Sequence, residues 1–277
     1  MPNKMAEQAE DAGINKANRN FSKTFVLAIL AGAFISFGAI FATTVTAELT
    51  LSIGFTKLIG GVSFSLGLIL VIVGGAELFT GNNILVMAWA NKKIKTSQVL
   101  RNWSIVYFGN FVGAVSMAVL MFYSLQYSSG TGAIGAKALS IAETKCSLEF
   151  SQAIILGILC NTLVCLAVWL CYSAKSTSGK ILAILFPITA FVAAGFEHSI
   201  ANMYFIPKAL LIKGWAKEDF WTSINSSPEM YTDLTWNNFF VNNLIPVTIG
   251  NIIGGAVLVG FVYWFVYLKG NIRNNNI

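Results

Sequence analysis

Charge is the scarcest commodity in this 277-residue chain: 11% of residues are Asp, Glu, Lys or Arg, against 56% hydrophobic. A soluble domain carries about 25% charged residues, so an aqueous globular protein is excluded. Histidine occurs once and cysteine four times. Cys160, Cys165 and Cys171 lie within one apolar block and Cys146 stands alone, so neither a disulfide framework nor a metal site is expected. No cofactor is expected either. The sequence has no P-loop, dinucleotide fingerprint, Ser/His/Asp arrangement or zinc spacing, and enzyme readings lose their main support. The first 23 residues carry no apolar run or small-residue cleavage site, which argues against a signal peptide.

What remains is apolar sequence in long blocks, and burying several such blocks requires a bilayer. Four of them, residues 25–46, 99–123, 148–173 and 241–268, are long enough to cross about 30 Å of hydrocarbon as single helices. Two more, 58–90 and 181–212, are too long and carry polar residues at their centres. The first is interrupted by Gly74, Gly75, Glu77, Thr80, Gly81, Asn82 and Asn83. The second contains Pro187, then Gly195, Glu197, His198, Ser199 and Asn202. Each is expected to be a half-helix, an irregular stretch and a second half-helix. The fold class is therefore an all-α membrane protein of six spans, with a cytoplasmic arm at 1–23, a transmembrane domain at 24–270 and a tail at 271–277. Of the 18 Lys and Arg residues, 12 fall in the two termini and the connectors on their side, which places both ends in the cytoplasm. The net charge of +6 follows from this topology and does not mark a nucleic-acid surface. Trp215, Trp221 and Trp236 in the outer 208–240 connector are expected to form an interfacial belt.

The two interruptions align: Glu77-Leu78-Phe79-Thr80-Gly81-Asn82 over Glu197-His198-Ser199-Ile200-Ala201-Asn202, an offset of 120. Gly109-Asn110 and Gly113-Ala114 in the third span answer Gly250-Asn251 and Gly254-Gly255 in the sixth, and Gly32 is matched with Gly157. Three spans per half force the second copy to enter the membrane inverted, so the pattern predicts a 3+3 inverted repeat with two broken helices meeting near the midplane. Irregular backbone at that depth must be buried in protein or line a watered cavity. The N-termini of the second half-helices would aim their free N–H groups at the centre, which suits an anion.

His198, the lone histidine, is placed at mid-depth, where an ionisable group is a functional candidate by default. Glu77 and Glu197 need not touch and are read as acceptors for the unwound backbone around them. Asn82, Asn202, Asn110, Asn251 and Asn161 are glue between helices or, for some, lining of a pathway. Thr80 is equally suited to donate to an anion or to cap a helix. On composition alone Phe64, Leu68, Leu78, Val164 and Phe191 are ordinary apolar residues, and Lys145 is a snorkelling residue.

The runs Gly75-Ala76-Glu77-Leu78-Phe79-Thr80, Val106-Tyr107-Phe108-Gly109-Asn110, Cys160-Asn161-Thr162-Leu163-Val164-Cys165, Gly195-Phe196-Glu197-His198-Ser199-Ile200-Ala201-Asn202-Met203 and Ile245-Pro246-Val247-Thr248-Ile249-Gly250-Asn251 resemble the formate/nitrite transporter family, from about residue 20 onward. The resemblance implies an aquaporin-like protomer with its own pore, a homopentamer in the bacterial inner membrane, and passage of formate and similar small monovalent anions. It implies that His198 and Thr80 are central pore residues with Asn202 and Asn251 close by. Glu197 would belong to the histidine's surroundings, and Lys145 with Asn161 would draw anions inward. Phe64, Leu68, Leu78, Val164 and Phe191 would form apolar constrictions, and Val73 to Phe79 a mobile loop that occludes the pore. Nitrite or hydrosulfide transport on the same scaffold, and a membrane scaffold or sensor that binds a soluble partner through its arm, are the alternatives. Water or glycerol conduction is disfavoured because both junctions lack Asn-Pro-Ala.

Overall fold

The computed structural model describes residues 2–269; the expected tail at 271–277 lies outside them. Six helices are long and apolar enough to cross a membrane: Phe21–Thr46, Ile53–Gly74, Thr96–Tyr123, Phe150–Ser173, Thr177–Ala194 and Asn238–Tyr267. An amphipathic helix, α1 (Pro2–Asn18), precedes them. The first span is α2 (Phe21–Thr46), started by Asn20, whose side chain accepts from the Lys23 amide at 3.0 Å. The broken second span is α3 (Ile53–Gly74), an extended stretch, α4 (Phe79–Asn82), a 3₁₀ turn and α5 (Val86–Ala90). The third span is α6 (Thr96–Tyr123), followed by α7 (Ala133–Cys146) in the connector and the fourth span α8 (Phe150–Ser173). The broken fifth span is α9 (Thr177–Ala194) and α10 (Ser199–Trp215), and a short α11 (Glu218–Ser223) follows. The sixth span runs through two π-helical stretches, Asn238–Leu244 and Ile253–Phe261.

Both breaks are made the same way. Gly75 (φ 79°) and Gly195 (φ 76°) end α3 and α9 in the left-handed conformation that glycine adopts without a Cβ penalty. Pro187 does not contribute: it lies inside α9, which continues to Ala194. The freed amides of Glu77 and Glu197 then reach across to the carbonyls of Leu27 (3.1 Å) and Leu156 (3.3 Å) on α2 and α8. These two spans lie close against α6 and the sixth span because glycines stand at the crossings. A Cβ on Gly113 would overlap the Ile29 carbonyl, and one on Gly254 the Ile158 carbonyl.

These contacts set the repeat's true register. Leu27, Ala28 and Ile29 correspond to Leu156, Gly157 and Ile158, an offset of 129 in the first and fourth spans. The expected match of Gly32 to Gly157 is thus corrected: the counterpart of Gly157 is Ala28. The offset stays 120 at the breaks and is 141 between the third and sixth spans. Met5, Ala6 and Ala9 of α1 pack with Tyr263, Trp264 and Tyr267, so the two ends of the described chain share one face. Of the expected tryptophan belt, Trp215 and Trp236 are exposed, but Trp221 is buried against Phe220 and Tyr231.

Candidate functional site

At the centre, Leu78 and His198 are the last extended residues before α4 and α10. The His198 Nδ1 accepts from the Ala201 amide at 3.1 Å, capping α10, and its Nε2 lies 2.9 Å from the Thr80 hydroxyl. With Nδ1 acting as acceptor, the hydrogen of the neutral ring sits on Nε2 and is donated to Thr80 Oγ1. The Thr80 hydroxyl hydrogen then remains to be offered elsewhere. This pair breaks the repeat: at an offset of 120, His198 stands where the first half has Leu78, and Thr80 where the second half has Ile200.

The surrounding asparagines are committed to holding the breaks. Asn110 Nδ2 donates to Ala28 O (2.7 Å) and Glu77 O (2.9 Å), while its Oδ1 accepts from the Phe79 amide (2.9 Å). Asn251 repeats this with Gly157 O (2.8 Å), Glu197 O (3.0 Å) and the Ser199 amide (2.9 Å). The first amide of each second half-helix is therefore already occupied, and only the remaining N–H groups of each tip are free to face the centre. Asn161 Nδ2 donates to Thr80 O (3.2 Å) and Asn251 O (2.7 Å), and Cys165 Sγ lies 3.3 Å from the same Thr80 carbonyl. Asn161 thereby ties Thr80 to the sixth span.

Glu77 and Glu197 occupy separate cages. Glu197 accepts from Lys145 Nζ at 2.7 Å, Asn202 Nδ2 at 2.6 Å and Asn243 Nδ2 at 3.2 Å. Glu77 accepts from Arg19 at 2.5 Å, Lys16 at 3.2 Å and Asn82 Nδ2 at 2.7 Å. Lys16 and Lys145 differ by 129, the offset of the first and fourth spans, and their carbonyls accept from Asn102 and Asn243, which differ by 141. The inverted repeat consequently includes α1 and α7, which lie over opposite ends of the site. Sequence reasoning missed Lys16, Arg19, Asn102 and Asn243. The signal was present in the 129 offset, but a fixed offset of 120 does not find it.

The apolar residues form two layers. Phe64 and Phe191 meet edge to face with centroids 5.7 Å apart, and Phe191 stacks on His198 at 6.0 Å. They border a vestibule of about 400 Å³ on the side of α7 that includes His198, Asn202, Lys145, Lys57 and Lys137. Leu68 and Leu78 border a cavity of about 30 Å³ on the other side, roofed by Ala9, Gly13 and Lys16 of α1. Val164 is fully buried on α8 and borders neither space. The residues Val73 to Phe79 comprise the end of α3, the irregular stretch 75–78 and the first residue of α4.

This arrangement can receive a small polar or anionic species in a vestibule, meet it with one hydroxyl and one imidazole, and confine it between layers that exclude water. Known proteins resemble the chain as a whole. A family model described as formate/nitrite transporter matches residues 3–265, extending the likeness through α1 rather than starting near residue 20. Formate channel FocA of Escherichia coli strain K12 is 48% identical over 272 residues, covering 98% of this chain and 95% of that protein. Formate channel FocA of Haemophilus influenzae is 42% identical over 260 residues, covering 94% and 92%. A solved structure described as a pentameric formate channel with formate bound superposes with a TM-score of 0.84 at 43% identity, covering 90% of this chain and 98% of the other.

Proposed function

The chain belongs to the formate/nitrite transporter family, and from that premise we propose that it conducts formate and related small monovalent anions, with His198 coupling passage to pH. It is a multi-pass membrane transport protein and not an enzyme. In our reading it assembles as a homopentamer in a bacterial inner membrane with both termini cytoplasmic. Residues 24–270 form the channel, and α1 covers its cytoplasmic mouth.

The observation that carries the reading is the Thr80–His198 pair set between the Phe64/Phe191 and Leu68/Leu78 layers. An unpaired carboxylate crossing either layer loses its hydration at a cost of several kcal/mol, whereas the neutral acid does not. In the proposed path, Lys145 and Asn202 line the approach and the Thr80 hydroxyl donates to a substrate oxygen. Asn161 and Asn251 hold that hydroxyl and the His198 loop in place. A proton arriving at Nδ1 displaces the Ala201 amide and turns the ring into a cation beside the anion, and transfer to a formate oxygen yields formic acid for the apolar layers. Leu78, Phe64, Leu68, Phe191 and Val164 act as the constrictions, and Glu197 keeps Lys145 and Asn202 in register.

The test is uptake into proteoliposomes with a panel of formate, acetate, lactate, nitrite and hydrosulfide across pH 4 to 8. Formate uptake that saturates and varies with pH supports the reading. Preference for nitrite or hydrosulfide over formate would reassign the substrate, and absence of swelling in ammonium formate at every pH would favour a closed-pore scaffold or sensor.

A further inference from the structure

We propose that Lys208 is a buried, unpaired ammonium that sets the anion-attracting potential of the vestibule; the inference rests on the anion-channel reading above and adds to it a residue which that reading does not use.

Lys208 lies within α10 and is 1% exposed. Among the described residues the ion pairs are those of Lys16 and Arg19 with Glu77 and of Lys145 with Glu197, so Lys208 has no carboxylate partner. Its Nζ donates to the neutral Gln126 Oε1 at 3.3 Å and stands 5.7 Å from the centroid of the Tyr204 ring. Gln126 is itself held, donating through Nε2 to Thr44 Oγ1 at 2.8 Å, so the acceptor is turned toward the lysine. An amide and a ring face compensate a buried cation only partly. A charge kept inside a membrane span under those terms is expected to act on something.

The helix positions say on what. Lys208 follows Phe205 by three residues and Ala201 by seven, spacings that share a helix face, and both of those residues line the vestibule. It is ten residues beyond His198, about 15 Å outward at 1.5 Å per residue. Lys145 and Lys208 flank one aromatic pair: Tyr204 and Phe205 lie 5.9 Å apart, with Lys145 Nζ 5.7 Å from the Phe205 centroid. Lys145 is neutralised by Glu197, while Lys57 and Lys137 line the vestibule nearer water, where salt screens them. Lys208 is the cation whose field reaches the vestibule through protein rather than solvent. The cytoplasmic half has the same balance by other means, with Lys16 and Arg19 set against Glu77. A unit charge at about 10–15 Å in an effective dielectric near 20 changes anion occupancy by roughly six- to sixteenfold.

The experiment uses the full chain in sidedness-sorted proteoliposomes of neutral lipid, measuring formate KM from the outer face at low and high ionic strength. Lys208→Met is expected to raise KM roughly six- to sixteenfold with maximal rate retained, and Lys208→Arg to keep the unsubstituted KM. Gln126→Glu, which leaves the lysine in place and supplies a counter-charge at the same atom, is expected to reproduce Lys208→Met and decides the matter should that variant fold poorly. The shift should persist at high ionic strength and be smaller for formate presented from the cytoplasmic face. Unchanged KM in Gln126→Glu and Lys208→Met, or a shift that vanishes at high salt, would overturn the assignment. If the unsubstituted protein takes up no formate, the channel reading falls, and the Lys208 assignment falls with it.

Discussion

Thr80 and His198 are 118 residues apart in sequence, and their side chains meet at 2.9 Å where two oppositely oriented half-helices begin. Each replaces an apolar residue at the equivalent position of the other half, His198 for Leu78 and Thr80 for Ile200. The scaffold of this protein is duplicated, and the chemistry at its centre is not.

Lys145 and Glu197 should be strongly coupled. Lys145→Ala leaves a carboxylate buried without its cation and is expected to cost about 3–5 kcal/mol of stability. Glu197→Gln in the same chain should recover most of it. A double-mutant cycle followed by thermal unfolding in detergent checks the coupling, and additive losses would show that the two charges do not depend on each other.

Asn110 and Asn251 each fasten a break through three hydrogen bonds. Replacing either with Ala should destabilise by about 2–4 kcal/mol, since buried backbone groups lose their partners. Replacement with Asp keeps the acceptor but turns a carboxylate oxygen toward the two carbonyls that the amide donated to, and should cost at least as much as Ala. Unfolding midpoints of the four variants provide the comparison.

Removing residues 2–18 takes Lys16 from Glu77 and unroofs the cavity beside Leu68 and Leu78. Formate flux from the face that α1 covers should rise and thermal stability should fall, since Glu77 keeps only Arg19 and Asn82 as partners. Stopped-flow uptake on sided liposomes measures the first effect, and thermal unfolding the second.

Cys146, at the end of α7, has its thiol pushed up to about 12 by burial and by the neighbouring Glu143. A group raised this far is protonated throughout the physiological range, and thiolate, the reactive form, becomes appreciable only in strong alkali. The folded protein should therefore resist maleimide at pH 7.5 and react after unfolding, which mass spectrometry reads directly.

Much of this was legible in the chain itself. Six spans, two breaks at Gly75 and Gly195, the Glu-x-x-x-small-Asn repeat and the central histidine all follow from apolar runs interrupted by polar residues. Other features were hidden for identifiable reasons. The small residues of α7, such as Gly135, Ala138 and Ala142, pack beneath Phe220 and α10, yet they read as connector because the helix is short and weakly apolar. The equivalence of Lys16 and Lys145 was masked because the repeat has three offsets, 129, 120 and 141, fixed by connectors of unequal length. The committed roles of Asn110 and Asn251 need the tertiary structure, since an asparagine at lipid depth fits either a pathway or a brace. Lys208 carries a usable signal, an ionisable residue inside an apolar block, but lies near the end of that block, where a snorkelling lysine is equally at home.

Formate uptake by His198→Asn as a function of pH tests the central claim most directly. Asparagine can still cap α10 at this position but cannot take up a proton near neutrality. The account predicts that the variant folds, reaches the membrane and loses the pH dependence of formate uptake seen in the unsubstituted protein. An unchanged rate and an unchanged pH profile would contradict it.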